Sequence, residues 1–190
     1  MRTFDVSILL VPGLDNSGPD HWQSRWERRL PTAKRIQQDS WDRPEKEAWV
    51  TRIAEAVAAA EKPVLLVGHS LGVPAIVHAA SRLPAGRVIG GFLVAAPAEA
   101  VVASIEAVDR AFRPYPREPL PFPALLVASR DDPYCPFDEA GDMALSWGCQ
   151  LVDAGNVGHL NTDSGHGPWP EGALRFGAFL KQLGPPAAAN

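Results

Sequence analysis

The five residues Gly68-His69-Ser70-Leu71-Gly72 follow the apolar run Pro63-Val64-Leu65-Leu66-Val67 and precede the helix-like stretch Val73 to Leu83. A serine at the junction of a strand and a helix, with glycine two residues to either side, is the pattern of a nucleophile elbow. Such a turn strains the serine backbone and brings strand and helix close together, so both flanks need small residues. It presents the hydroxyl at its tip and leaves the next backbone N–H, here that of Leu71, free to hold an oxyanion. The three fixed positions alone would recur by accident in roughly one chain in twenty of this length. The buried run before them and the amphipathic helix after them make the reading specific.

An elbow of this kind needs a strand buried on both faces, and the rest of the chain is built to supply one. Short, nearly continuous apolar runs lie at 4–11, 63–68, 88–95, 123–129 and 149–153, with a weaker one at 33–37. Helical patterns lie between and after them, near 19–30, 45–61, 72–83, 98–111, 137–147 and 170–183. This alternation predicts a parallel sheet of about six strands with helices on both faces, a three-layer α/β/α sandwich. Right-handed crossovers put the loops that follow the strands on one edge, where ligands bind beside the point at which strand order reverses. Ser70 falls on that edge. A chain of 190 residues, 46% apolar and 21% charged, fits one domain, assigned to 1–183. The small, proline-containing tail 184–190 is expected to be disordered.

Several function classes are excluded on charge and composition. The net charge is −4 and the lysines and arginines are scattered, so there is no basic stripe for a phosphate backbone and no nucleic-acid partner is expected. The first apolar run, Val6 to Val11, is too short to span a bilayer, follows Asp5 and has no cleavage site after it. It reads as a core strand, and a cytoplasmic protein without membrane attachment is expected. Cys135 and Cys149 are the only cysteines, and a reducing compartment gives no reason to join them. The histidines at 21, 69, 78, 159 and 166 form no His-x-x-x-His pair, and no metal or other cofactor is expected.

A serine hydroxyl is a poor nucleophile at neutral pH, so an active elbow requires a histidine base and a carboxylate that fixes the imidazole tautomer. After the run Ala124 to Ala128 comes Ser129-Arg130-Asp131-Asp132-Pro133-Tyr134-Cys135-Pro136, an acidic turn at the same edge as Ser70. Asp131 and Asp132 compete there for the acid; both could instead cap the helix that follows. Asp132 is preferred because it opens an Asp-x-x-x-Pro turn. The run at 149–153 leads into Ala154-Gly155-Asn156-Val157-Gly158-His159, which makes His159 the candidate base. His166 is its competitor, seven residues further on. His21, His69 and His78 are read as structural. The loop Val11-Pro12-Gly13-Leu14-Asp15-Asn16 ends the first apolar run and offers the Leu14 N–H as the second oxyanion donor, with Asp15 and Asn16 at the mouth of the site. Trp22, Trp26, Trp41 and Trp49 are expected to pack the elements near this end. The proline-dense segment Arg113 to Pro121 is read as a rigid connector, with a rim of the substrate entrance as the alternative.

These motifs together, with Asn16-Ser17-Gly18-Pro19-Asp20-His21-Trp22 and Gly158-His159-Leu160-Asn161, resemble the small bacterial serine hydrolases related to retinoblastoma-binding protein 9. The resemblance covers residues 4 to 183. It implies a compact α/β-hydrolase fold with no separate lid domain, and carries the family's serine, acid and histidine onto Ser70, Asp132 and His159. The expected chemistry is carboxylesterase-like: cleavage of small esters, or amides, through an acyl-enzyme. The short spacing between the runs at 88–95 and 123–129 predicts an open, shallow site suited to small acyl groups. A non-catalytic binding module on the same fold, or an acyltransferase using the same serine, are the alternatives.

Overall fold

The computed structural model describes residues 1–183. Six strands form one wholly parallel sheet: β1 (Ser7–Val11), β2 (Ala33–Arg35), β3 (Val64–His69), β4 (Val88–Val94), β5 (Ala124–Ala128) and β6 (Gln150–Asp153). Their order is β2-β1-β3-β4-β5-β6. The connections carry α1 (Trp22–Arg29), α2 (Lys46–Ala59), α3 (Gly72–Ala79), α4 (Glu99–Ser104) and α5 (Phe137–Trp147), and α6 (Pro170–Gln182) follows β6.

The continuous apolar runs are explained by burial on both sheet faces. Within β1, Leu9 and Val11 enter one apolar cluster while Ile8 and Leu10 enter the other. Within β3, Leu66 packs with the first set and Leu65 and Val67 with the second. The first cluster is closed by α2, α3 and α5 through Trp49, Ile53, Ile76, Met143 and Trp147. The second is closed by α1 and α6 through Trp22, Trp26, Phe176 and Phe179. The four tryptophans do pack as expected, but in pairs on opposite faces: Trp22 lies 4.8 Å from Trp26, and Trp41 lies 5.6 Å from Trp49. Burying a large side chain contributes about 1.5–3 kcal/mol, so these clusters hold the layers together.

Strand order reverses between β1 and β3, whose C-terminal ends lie side by side with Val11 opposite Gly68. That crevice is where an open α/β sheet binds its ligand, and the elbow opens directly above it.

Several helices are shorter than their sequence patterns. The chain around 98–111 is helical only to Ser104, whose hydroxyl donates to the Val101 carbonyl. Asp109 then opens a 3₁₀ turn, Arg110–Phe112, by accepting from the Ala111 N–H, and it also accepts from the Lys46 N–H, which ties this stretch to the start of α2. The pattern at 72–83 is α-helical to Ala79 and finishes in a 3₁₀ turn, Ala80–Arg82. The proline segment acts as a connector. Tyr115 within it is buried and donates to the Pro97 carbonyl at 3.1 Å, and the segment does not line the cleft above Ser70. Cys135 and Cys149 are free thiols, and burial pushes each up to about 12. Among the described residues no helix is long and apolar enough to cross a membrane. The tail 184–190, assigned above to disorder, lies outside the described residues.

Candidate active site

Ser70 leaves β3 with φ of 52°, the left-handed conformation that an elbow imposes on its nucleophile. The glycines around it are required by close approach. A Cβ on Gly72 would lie 2.6 Å from the Pro12 carbonyl oxygen and closer still to that of Val11, so α3 can begin against the end of β1 only without a side chain there. A Cβ on Gly13 would come within 2.8 Å of the Ser70 Cβ and 3.1 Å of the Leu71 nitrogen. Gly13 thus keeps open the space in front of the Leu71 N–H, at the head of α3, where the helix dipole favours negative charge. Leu14, Asp15 and Asn16 follow it along the cleft, the last two with φ of 59° and 65°. Among the described residues, neither the Leu14 nor the Leu71 N–H donates to another protein group.

The structure brings Ser70, His159 and Asp132 into one line. Ser70 Oγ lies 2.9 Å from His159 Nε2, and His159 Nδ1 lies 2.9 Å from both carboxylate oxygens of Asp132. The side chains of His159 and Asp132 are 8% and 3% exposed. With the carboxylate accepting from Nδ1–H, the imidazole presents a bare Nε2 to the serine hydroxyl, the tautomer a general base needs.

Asp131 does different work. It accepts from the Ser129 hydroxyl at 2.7 Å and from the Gly158 backbone N–H at 2.8 Å. These two hydrogen bonds hold its carboxyl below the usual range, the hydroxyl contributing most. It fixes the loop that delivers His159 without touching the imidazole. His166 stands off the cleft, with its Nδ1 3.2 Å from the Ser164 hydroxyl.

Four residues near the site carry more than the sequence reading gave them. His69 Nε2 donates to the His159 carbonyl at 2.9 Å, so the residue before Ser70 holds the backbone of His159. His21 caps α1 by accepting from the Gln23 N–H, and its ring lies 4.8 Å from that of His69. Burial keeps both imidazoles neutral, pulling His21 down to about 4 and His69 well below the ordinary value, so neither sets a positive charge beside His159 at neutral pH. Gln23, fully buried, donates to the carbonyls of Val11 and Val67, while its side-chain oxygen accepts from Ser17. Tyr134, 42% exposed, sets its ring 4.4 Å from the His159 imidazole at the cleft mouth. A glutamine inside an amphipathic helix looks solvent-exposed in sequence, and the sequence reading gave Gln23 no part in the site.

The cleft opens above Ser70 and His159. It has a volume of about 500 Å³ and an apolar side formed by Pro97, Val101, Val102, Ile105 and Val108. Ile105 and Val108 lie on the irregular stretch after the end of α4.

A parallel sheet of this order, with its serine on a left-handed turn after the strand at the switch point and a histidine on the loop after the last strand, defines an α/β-hydrolase. The sequence profile of the serine hydrolase family matches residues 8–178, and the chain belongs to that family. It is therefore a hydrolase, and the resemblance read from the motifs holds. Among its relatives, YdeN of Bacillus subtilis (strain 168), described as a hydrolase, is 23% identical over 167 residues, 83% of this chain and 87% of that one. The crystal structure of a YdeN-like hydrolase from Pectobacterium atrosepticum superposes with a TM-score of 0.84 at 35% identity, over 96% of this chain and 95% of that one. The esterase domain of a Rhodothermus marinus protein shares the fold, with a TM-score of 0.68 at 17% identity over 94% and 88% of the two chains.

Proposed function

We propose that this protein hydrolyses small-molecule carboxylic esters, and amides more slowly, through an acyl-enzyme on Ser70. His159 Nε2 takes the Ser70 proton as Oγ bonds to the carbonyl carbon. The carbonyl oxygen becomes an oxyanion held by the N–H groups of Leu14 and Leu71. Asp132 stabilises the imidazolium. When the bond to the leaving oxygen breaks, His159 returns its proton to that oxygen and the alcohol departs. Water, deprotonated by the same nitrogen, then attacks the acyl-enzyme; the carboxylic acid leaves and Ser70 recovers its proton.

The observation that carries this reading is the 2.9 Å contact from Ser70 Oγ to His159 Nε2, on a strained elbow with a carboxylate 2.9 Å behind the same ring. Packing alone gives no reason to hold a serine at positive φ against a buried, acid-paired imidazole.

Intact mass after treatment with a fluorophosphonate tests it. A single adduct is expected on the native protein and none on Ser70→Ala or His159→Ala, each of which should lose turnover by on the order of a millionfold. A folded native protein that takes no adduct would overturn the reading in favour of a binding module.

A further inference from the structure

The apolar side of the cleft has no part in the chemistry just described. After β4 the chain passes through Pro97, α4 and an irregular stretch to Val108. Val102 and Val108 are buried in the same apolar cluster as Leu71, and Val101 and Ile105 pack on its edge as partly exposed side chains lining the cleft. This wall is already formed. The Ala98 N–H donates to the Tyr134 carbonyl at 2.9 Å, the Tyr115 hydroxyl to the Pro97 carbonyl at 3.1 Å, and His78 Nε2 to the Phe112 carbonyl at 2.9 Å.

The direction of proton transfer decides which part of a substrate meets it. His159 must protonate the leaving oxygen, so the leaving group lies on the His159 side, among Tyr134, Asn161 and Thr162. The acyl chain extends the other way, past the N–H groups that hold the oxyanion. Leu14 and Leu71, which carry those groups, pack in the cluster of the wall, whereas Leu160, next to His159, belongs to the cluster on the opposite sheet face.

We infer that Val101, Val102, Ile105 and Val108 form an acyl-binding subsite, and that preferred substrates carry an aliphatic acyl group of about four to eight carbons rather than acetyl. The inference rests on Ser70 being the nucleophile of an ester hydrolase. An acetyl group would leave most of a cleft of about 500 Å³ to water in contact with aliphatic side chains. Each further methylene buried there in the transition state should raise kcat/KM about fourfold.

The test is kcat/KM for nitrophenyl esters from acetyl to decanoyl, whose leaving group is constant, beside a series of acetate esters of lengthening alcohols. Native protein, Val101→Trp and Ile105→Ala are compared, each with its fluorophosphonate adduct measured. The expected result is a rise of about fourfold per methylene from acetyl to hexanoyl. Val101→Trp should lower the hexanoyl-to-acetyl ratio by at least about tenfold, as filling the space of two methylenes implies. Ile105→Ala should move the optimum to a longer acyl chain, which keeps the test decisive if the tryptophan variant fails to fold. A native protein that takes the adduct but turns over acetyl and hexanoyl esters equally would overturn the subsite alone. So would variants that change the alcohol series and leave the acyl series as it was. No adduct and no turnover on any ester would overturn the subsite together with the hydrolase reading.

Discussion

At the scale of single residues, the adjacent pair Asp131 and Asp132 shows how little separates a carboxylate that holds the imidazole from one that holds a loop. Both sit on the turn after β5, yet only Asp132 meets the imidazole, with both oxygens 2.9 Å from Nδ1. Asp132→Asn should lower kcat by about 10⁴-fold, because the amide no longer enforces the Nδ1–H tautomer. Asp131→Ala removes the acceptor of both the Ser129 hydroxyl and the Gly158 N–H and loosens the loop, which should cost up to about a hundredfold. Steady-state kinetics of the two variants decide between them, and equal losses would mean that the acid is not assigned by geometry. The preference for Asp132 was legible in the Asp-x-x-x-Pro turn. The task of Asp131 was not, because its partner Gly158 lies 27 residues away.

At the scale of elements, the site is assembled where β1, β3 and α3 crowd together, and glycine permits the crowding. Gly13→Ala would push a methyl group against the Leu71 nitrogen and the Ser70 Cβ. Turnover should fall by about 10²- to 10³-fold, the cost of losing one oxyanion donor, while the melting curve changes less. Gly72→Ala meets backbone carbonyls instead of open space. It should destabilise the fold by at least about 1–3 kcal/mol, since strand and helix must move apart. Chemical denaturation and ester turnover measured side by side separate the two effects. An active, fully stable Gly72→Ala protein would show that the elbow tolerates a wider crossing. The elbow glycines could be read in the sequence from spacing. Gly13 could not be given this task, because its neighbour Leu71 comes from another element.

At the scale of the whole molecule, two neutral imidazoles are enclosed between α1 and the elbow, and they couple folding to pH. Burial, then Arg35 and His159, pull His21 from an ordinary 6.5 to about 4. Between those values the unfolded chain takes up a proton that the folded protein refuses. Stability should therefore fall as pH drops from about 6.5 to about 4, by roughly 3 kcal/mol from this residue when complete, with no contribution above 6.5. His69 acts in the same direction. His21→Asn keeps an acceptor for the Gln23 N–H and removes the titration. Urea melts at pH 7 and pH 4.5 should show a smaller loss in the variant than in the native protein. Equal losses in the two would place the acid sensitivity elsewhere.

The alternation of strands and helices, the elbow, and the order of serine, acid and histidine were determined by the sequence alone. Each is written in short-range chemistry: runs of buried β-branched and leucine residues, glycines two positions from a serine, a proline-marked turn. The tertiary structure decided which neighbouring groups act together. Gln23 reaches Val67 across 44 residues, His69 reaches the His159 carbonyl across 90, and the Trp22 indole reaches Leu160 across 138. The lining of the cleft was decided in the same way, by which side chains beyond the end of α4 border it. Such contacts depend on how finished elements pack, and no local pattern in the chain encodes them.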